Sequence, residues 1–351
     1  MSWLKQNAAW LKWVLAIVIL GALIWLNRDG LKDLNTRTIN WSFFGAALLV
    51  RFGSLCLTFS RWWLLVTGIG LPLTWMNAFR LGMFCEACNF VGPGAAGGDL
   101  VKAVSLARGH RERRASAAAT VVLDRILGLW ALFLSGALAS MVPSKIPLSP
   151  QMTWAVWLLW AGTAGGLVGL IVMLIPAFTH SRLMHWVTTW PRVGHVVKDL
   201  MDSITFYQGR RHVIVLAAGL SLLGHVGFST SFWLGALSIH QGQSIPGLID
   251  HLVGLPLPEA IAAIPLTPGG VGTLEGAVGY FYEQHQLAMN TSSTTEQLKA
   301  ANANGLLTAL VYRSASIVLG AFGVVFYFAR KQEMTQVADS ATEPHPAVSD
   351  V

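Results

Sequence analysis

The sequence predicts an all-α, polytopic membrane helix bundle with two opposed, broken or re-entrant helical hairpins that form an inverted repeat. Three observations lead to this fold class. First, 54% of the 351 residues are hydrophobic and only 12% are charged, whereas soluble domains carry about a quarter charged residues. Second, several apolar stretches exceed the roughly 18 uncharged residues that mark a spanning helix. Third, two apolar stretches are interrupted by similar breaks rich in Pro and Gly.

Six stretches hold most of the apolar residues: 14–27, 41–50, 126–142, 152–179, 213–239 and 305–329. The first follows two lysines and precedes no small-residue cleavage motif, so it predicts a retained helix and not a signal peptide. Arg51 follows the second stretch directly, splits the second predicted helix and suggests a hydrated helix end there. Residues 1–332 are therefore predicted to form one integral membrane domain. The acidic, Pro-containing residues 333–351 are predicted to be a disordered cytosolic tail.

The basic residues lie in short loops, which predicts the orientation of the chain. Residues 102–114 and 182–211 and the end of the last helix are rich in Lys and Arg, so the positive-inside rule places them in the cytoplasm. This predicts an inner (plasma) membrane protein with a cytoplasmic C-terminus. The net charge of +7 comes from these loops and does not indicate a nucleic-acid partner.

The two broken segments then enter the membrane from opposite faces. The first, 74–102, is flanked by inside loops if Arg61 and Arg80 also lie inside, and the second, 245–284, is flanked by outside loops. A helix, a broken hairpin and another helix would thus occur twice in opposite orientation, as in many transporters. A second threading, in which every broken segment spans fully and the N-terminus lies outside, stays open.

The breaks themselves are candidate site elements. The first contains Gly97, Gly98 and Asp99, and the second contains Pro268, Gly269, Gly270, Gly272 and Glu275. Lipid offers no hydrogen-bond partners, so non-helical backbone persists at membrane depth only against protein or a wet cavity. Broken helices in corresponding halves are therefore a pointer to a transporter's binding site.

Charged residues inside apolar runs form the second group of candidates, namely Arg51, Lys102, Asp124, Arg125 and Arg313. A charge at the bilayer centre costs at least about 2.5–3.5 kcal/mol, so each must face a cavity, a partner or both. Asp124 and Arg125 are adjacent and cannot pair with each other on a helix. Arg313 is expected to pair with Asp99, Asp124 or Glu275. Structural ion pairs, and helix capping by Asp99 and Glu275, compete with a substrate-site interpretation.

Helix N-termini and arginines that meet in the membrane would form an anion site suited to phosphate. The predicted substrate-binding residues are Arg51, Gly97, Gly98, Asp99, Lys102, Asp124, Arg125, Pro268, Gly269, Gly270, Gly272, Glu275 and Arg313. With apolar flanks for acyl chains, the site predicts an anionic phospholipid or polyprenyl-phosphate lipid as the partner. The function predicted is binding of this lipid or its movement between leaflets.

Four features of the chain together resemble one known family. They are Gly97-Gly98-Asp99, the Asp124-Arg125 pair, the run from Pro268 to Glu275, and the late Arg313. They are similar to the lysylphosphatidylglycerol synthase transmembrane region, a flippase-like integral membrane family. That family includes the membrane half of the multiple peptide resistance factor and hopanoid-cluster homologues. The resemblance covers roughly residues 8–330 and implies a role in lipid translocation or envelope lipid metabolism, although Lys102 stands where an Arg is expected.

Rival functions stay open. Full-length aminoacyl-lipid synthases of that family carry a large cytosolic transferase domain, and only about twenty residues follow the last predicted helix; we therefore expect no enzyme activity. A polyprenyl-phosphate-dependent glycosyltransferase or its accessory subunit would use Asp250 and Glu259. A proton-coupled small-solute transporter would use Glu86, His251 or Glu275. An envelope biosynthesis enzyme is a possible partner.

No cofactor or metal is predicted from the sequence. The chain contains one C-x-x-C pair, Cys85 and Cys88, without a second pair or a nearby His that would complete a metal site.

Overall fold

The structure is a computed structural model that describes residues 38–91, 97–110, 113–143, 149–176, 181, 186, 188–190, 194–240, 245–264, 267 and 269–329. Within these residues the chain forms eleven α-helices and no strand, which confirms the all-α prediction. The predicted first helix at 14–27 and the predicted tail at 333–351 lie outside the described residues.

The helices are, in chain order, α1 (Trp41–Gly68), α2 (Trp75–Val91), α3 (Gly97–Gly109), α4 (Arg114–Ala139), α5 (Pro150–Leu174), α6 (Gly194–Gln208), α7 (Arg211–Ile239), α8 (Leu248–Gly254), α9 (Pro256–Ala263), α10 (Thr273–Met289) and α11 (Thr295–Ala329). Among the described residues, α1, α4, α5, α7 and α11 are long and apolar enough to cross a membrane. The chain is therefore a multi-pass membrane protein.

Helix α1 corrects the prediction for the second apolar stretch. The Asn40 side chain caps its N-terminus by accepting from the Ser42 backbone N–H at 3.1 Å. The helix then continues without interruption through Arg51 to Gly68, so Arg51 is not at a hydrated helix end. The helix is apolar enough in composition to cross the membrane. Its two arginines are accommodated because they pair with carboxylates on other helices, as described below.

The bundle is organised around two closely packed helix sets. Helix α7 packs along α1, and α11 packs against both α10 and α2. Two glycines of α11 allow these close approaches, because a Cβ on Gly305 would lie 2.7 Å from the Val278 carbonyl oxygen and one on Gly323 would collide with the Met83 carbonyl. Small residues at such contacts let membrane helices approach closely. Helix α11 is thus fixed between the two broken segments.

The two broken segments form hairpin-like units. In the first, α2 packs against α3, with residues 92–96 between them outside the described residues. In the second, the short helices α8 and α9 precede a non-helical stretch, and α10 follows it and packs against α9. Gly269, Gly270 and Gly272 in that stretch have φ angles of 59°, 66° and 85°, a backbone region that glycine adopts without strain.

The outer surface of the bundle carries large apolar side chains. On α5, Trp154 is 72% exposed and Trp157 is 67% exposed. Exposed tryptophans at this density are typical of a surface that contacts lipid, in keeping with the length and composition of α5.

Candidate substrate-binding cavity

A cavity of about 700 Å³ lies where both broken segments meet the crossing helices. Its wall includes residues of α1, α2, α3, α4, α7, α9 and α11. Eight of the residues predicted from the sequence line it: Arg51, Gly98, Asp99, Lys102, Asp124, Arg125, Gly269 and Arg313. Glu275 and Gly270 lie behind the wall and accept hydrogen bonds from Arg313. The Gly272 N–H donates to Glu275. Gly97 begins α3 outside the lining, and Pro268 lies outside the described residues.

The second break contacts the C-terminal end of α2 at one point. Gly269 lies against Phe90, near the end of α2, so closely that a Cβ on Gly269 would be 2.7 Å from the Phe90 carbonyl oxygen. Gly269 also has a positive φ of 59°. Both conditions favour glycine, because any other side chain would be strained and would meet backbone. The second break therefore contacts the helical end of α2, just before residues 92–96, which lie outside the described residues; the convergence of the two breaks stays a prediction.

Arg313 holds the second break together. Its Nε donates to Glu275 Oε1 at 2.5 Å, and its Nη1 and Nη2 donate to the carbonyls of Gly269 and Gly270 at 3.0 and 3.1 Å. Glu275 Oε2 in turn accepts from the Gly272 N–H at 2.8 Å. Backbone groups freed by the break are thus paired with side chains, as burial requires. Of the three partners expected for Arg313, Glu275 is the observed one.

The first break has a comparable pair. Asp99 lies in the first turn of α3, and its Oδ2 is 2.6 Å from Arg125 Nε on α4. The Gly98 N–H donates to the Asn89 side chain at 2.8 Å. In both breaks, a carboxylate in the first turn of the following helix binds the Nε of an arginine on the next long helix. Unlike Arg313, Arg125 has a side chain that is 43% exposed.

Asp124 occupies the centre of a buried charge cluster. Its Oδ1 is 2.6 Å from Arg61 Nε, and its Oδ2 is 3.7 Å from Lys102 Nζ. Arg61 also donates to Ser221 at 2.9 Å. Arg61 is buried within α1. The expectation that Asp124 and Arg125 find separate partners is confirmed.

Arg51 has unused hydrogen-bond donors at the cavity. Its Nη2 donates to Glu86 Oε1 at 2.9 Å and its guanidinium also interacts with the Tyr312 side chain, whereas its buried Nε and Nη1 have no hydrogen-bond partner. The guanidinium carbon lies 4.2 Å from the Tyr312 ring centroid and 5.5 Å from that of Phe228. The guanidinium is therefore held in place while part of its hydrogen-bonding capacity remains available in the wall of the cavity.

A histidine and a glutamate that the sequence analysis did not pair also line the cavity. His225 on α7 has its Nδ1 4.0 Å from Glu259 Oε2 on α9. His225 Nδ1 and Glu259 Oε1 are both buried and have no hydrogen-bond partner. Glu259 lies outside the five crossing helices, and burial raises its pKa from 4.5 to about 7, with the charge of Arg51 acting in the opposite direction.

The charges of the lining nearly balance. Among the described residues, five basic and four acidic side chains line the cavity, and Glu275 just behind the wall neutralises Arg313. An anion would therefore be attracted less by the net charge of the cavity than by particular donors that have no internal partner. Arg51 provides such donors.

One part of the wall is apolar and reaches the outer surface. Leu129 on α4 and Ile264 at the end of α9 both line the cavity, and they are 45% and 50% exposed. Leu132 and Leu274 continue the apolar lining inward. A molecule with a polar head and a long apolar tail would fit this combination of a charged interior and an apolar edge.

The chain was compared with known proteins. Residues 12–285 match the family model described as lysylphosphatidylglycerol synthase TM region. This match includes both breaks and most of the cavity wall and ends before Arg313. No curated protein matches the sequence.

Proposed function

We propose, from the premise that this chain belongs to the lysylphosphatidylglycerol synthase transmembrane-region family, that it binds a phosphate-bearing lipid headgroup in the cavity and moves it between leaflets. The observation that carries the proposal is the pair of unpartnered donors on Arg51, buried in the wall of a cavity where the two broken segments meet. The family relation supports a role in lipid handling, and the geometry supports an acidic headgroup as the bound part.

Arg51 is well suited to contact phosphate oxygens. A guanidinium presents its donors in a rigid fork, and charge-assisted hydrogen bonds to phosphate are stronger than neutral ones. Glu86 holds one end of the fork, and the rings of Tyr312 and Phe228 restrict its plane. Little side-chain freedom would therefore be lost when the headgroup binds.

The apolar edge gives the acyl chains a place outside the charged interior. Because Leu129 and Ile264 line the cavity and are half exposed, a lipid could keep its tails in the bilayer while its headgroup occupies the cavity. This division removes the need to bury the whole lipid in about 700 Å³.

We further propose that the two halves are an inverted repeat that opens the cavity alternately to each face. In one half, Arg51 of α1 forms an ion pair with Glu86 of α2, and Arg125 of α4 forms one with Asp99 of α3. In the other half, His225 of α7 lies near Glu259 of α9, and Arg313 of α11 forms an ion pair with Glu275 of α10.

Each half holds two of the four pairs, and the two occur in the same order along the chain in both halves, which supports a common plan. The proposal places the protein in the inner membrane with its C-terminus in the cytoplasm, in line with the basic loops.

Purified protein in liposomes tests the proposal. The exchange of a fluorescent acidic phospholipid between leaflets is followed by chemical quenching of the outer leaflet. Wild type should accelerate exchange above that of protein-free liposomes, and R51K should lose most of the acceleration, because Lys keeps a charge for Glu86 but lacks the fork. R108K, at an exposed position in the last turn of α3, is the matched control and should behave as wild type.

Thermal unfolding in detergent shows whether R51K is folded. A wild type that does not accelerate exchange, or a folded R51K with full exchange activity, would overturn the proposal.

A further inference from the structure

Glu259 differs from the other carboxylates around the cavity. Glu86, Asp99, Asp124 and Glu275 each have an Arg nitrogen within 2.9 Å. Glu259 has a side chain that is 17% exposed, and its partner is His225 at 4.0 Å, which is beyond hydrogen-bond distance.

One oxygen of Glu259 has no hydrogen-bond partner. A buried carboxylate in this position loses its hydration without gaining a close cation. Binding a proton removes that cost.

His225 can take part in the same protonation. Its Nδ1 lies 4.0 Å from Glu259 Oε2 and has no hydrogen-bond partner. After a small side-chain adjustment, this nitrogen can accept a hydrogen bond from the protonated carboxyl group.

The charged surroundings link this pair to Arg51. On α1, Arg51 acts electrostatically on Glu259, and Arg61 acts on His225 while bonding to Asp124. On α11, Tyr312 interacts electrostatically with both Arg51 and Glu259. Arg51 is thus the cation shared by the carboxyl group and the proposed headgroup site.

The other elements packed against α9 carry charges that are already paired. On α10, Glu275 binds Arg313; on α4, Asp124 and Arg125 bind partners of opposite charge. On α8, Asp250 accepts from the Gly247 N–H and lies near His285, and His251 contacts the Tyr282 hydroxyl. The described residues of α5, which also packs on α9, include no charged side chain.

We propose that His225 and Glu259 form a proton-binding site in the cavity wall, and that a proton binds there together with the anionic headgroup at Arg51. An anion bound to Arg51 cancels the positive charge that favours ionised Glu259, so headgroup binding strengthens proton binding. By thermodynamic reciprocity, the proton strengthens headgroup binding to the same extent. This inference rests on the proposed function and adds its energy source, because a proton gradient would drive the headgroup in the direction of the proton.

Infrared difference spectroscopy on detergent-solubilised, lipid-free protein tests the proton site by itself. Lowering the pH through about 7 should produce the carbonyl-stretch band of a protonated carboxyl group, and E259Q should lose this band. E283Q is the matched control, since Glu283 lies outside the cavity lining and accepts from Asn302, and it should retain the band. A band that is unchanged in E259Q would overturn the proton site.

Liposomes with a pH step across the membrane test the coupling. For one proton carried with one headgroup, each pH unit of gradient supports a leaflet ratio of up to about tenfold. Wild type and E283Q should redistribute the fluorescent acidic lipid toward the alkaline side, whereas E259Q should distribute it without regard to the gradient. Lipid movement in the wild type that ignores the gradient would overturn the coupling and leave the proposed function intact.

Protein that shows the E259Q-sensitive band but moves no lipid would separate the two proposals in the other direction. That result would support the proton site and overturn both lipid transport and the coupling to it.

Discussion

Arg313 and Glu275 form a buried ion pair with 2.5 Å between Nε and Oε1, and the same guanidinium binds the carbonyls of Gly269 and Gly270. One side chain of the last helix thus fixes both the carboxylate that follows the second break and the backbone of the break itself. The break needs this support because its backbone groups cannot turn to lipid for hydrogen bonds.

Replacing Arg313 with Ala should destabilise the protein strongly. The change leaves Glu275 as an uncompensated buried charge and leaves two carbonyls unpaired, which typically costs about 3–5 kcal/mol. Thermal unfolding in detergent measures the loss. R108A, at an exposed position, should change stability by less than about 0.5 kcal/mol. The double variant R313Q/E275Q should recover part of the loss, and equal stability of R313A and wild type would contradict the structural role.

Replacing Gly269 with Ala should disrupt the contact between the second break and the end of α2. The new Cβ would lie 2.7 Å from the Phe90 carbonyl oxygen at a positive φ, so the backbone must shift. We expect a lower unfolding temperature and slower lipid exchange. The control is G276A in α10, where an added Cβ meets nothing within 4 Å. This substitution should stabilise the helix by about 0.5–1 kcal/mol. Two glycine variants with the same stability would contradict this account.

The raised pKa of Glu259 predicts a pH dependence of stability. The folded state holds the proton up to about pH 7, whereas the ordinary carboxyl releases it near pH 4.5. Folded protein therefore binds more protons in this interval, and its stability falls as the pH rises from about 4.5 to 7. The expected loss is up to about 3 kcal/mol, and it should be absent in E259Q. Unfolding temperatures in detergent at a series of pH values provide the measurement, and parallel curves for both proteins would refute the prediction.

The apolar edge of the cavity predicts a steric effect on lipid entry. L129W places a larger side chain where α4 lines the cavity and reaches the outer surface. We expect slower exchange of the fluorescent lipid without a change in folding. L138W is the matched control, because Leu138 is exposed on the same helix but does not line the cavity. Equal exchange rates for L129W and L138W would show that lipids do not enter at this edge.

Much of the site could be predicted from the sequence because membranes restrict what a sequence can hold. Paired glycine breaks and isolated charges such as Arg313 are costly in lipid, so each one marks a position that needs support from the fold. The Arg313–Glu275 pair was among the predicted pairs for this reason. The sequence left the choice among Asp99, Asp124 and Glu275 open, because the choice depends on how the helices are arranged in space.

The parts that were missed have a common cause. The sequence suggests a helix end at Arg51 and indicates no partner for Arg61, yet both are accommodated inside α1 by carboxylates 35 and 63 residues away. No local pattern reports such distant partners. His225 lies in an apolar run, and its neighbour Glu259 was considered in the sequence only as part of another function. Their proximity depends on the packing around the cavity.

The contact between Gly269 and Phe90 has a mechanical consequence. The backbone of Gly269 packs directly on that of Phe90 without an intervening side chain, so neither segment can move toward the other. We expect that a displacement of the second break would either move the end of α2 with it or separate the two main-chain segments.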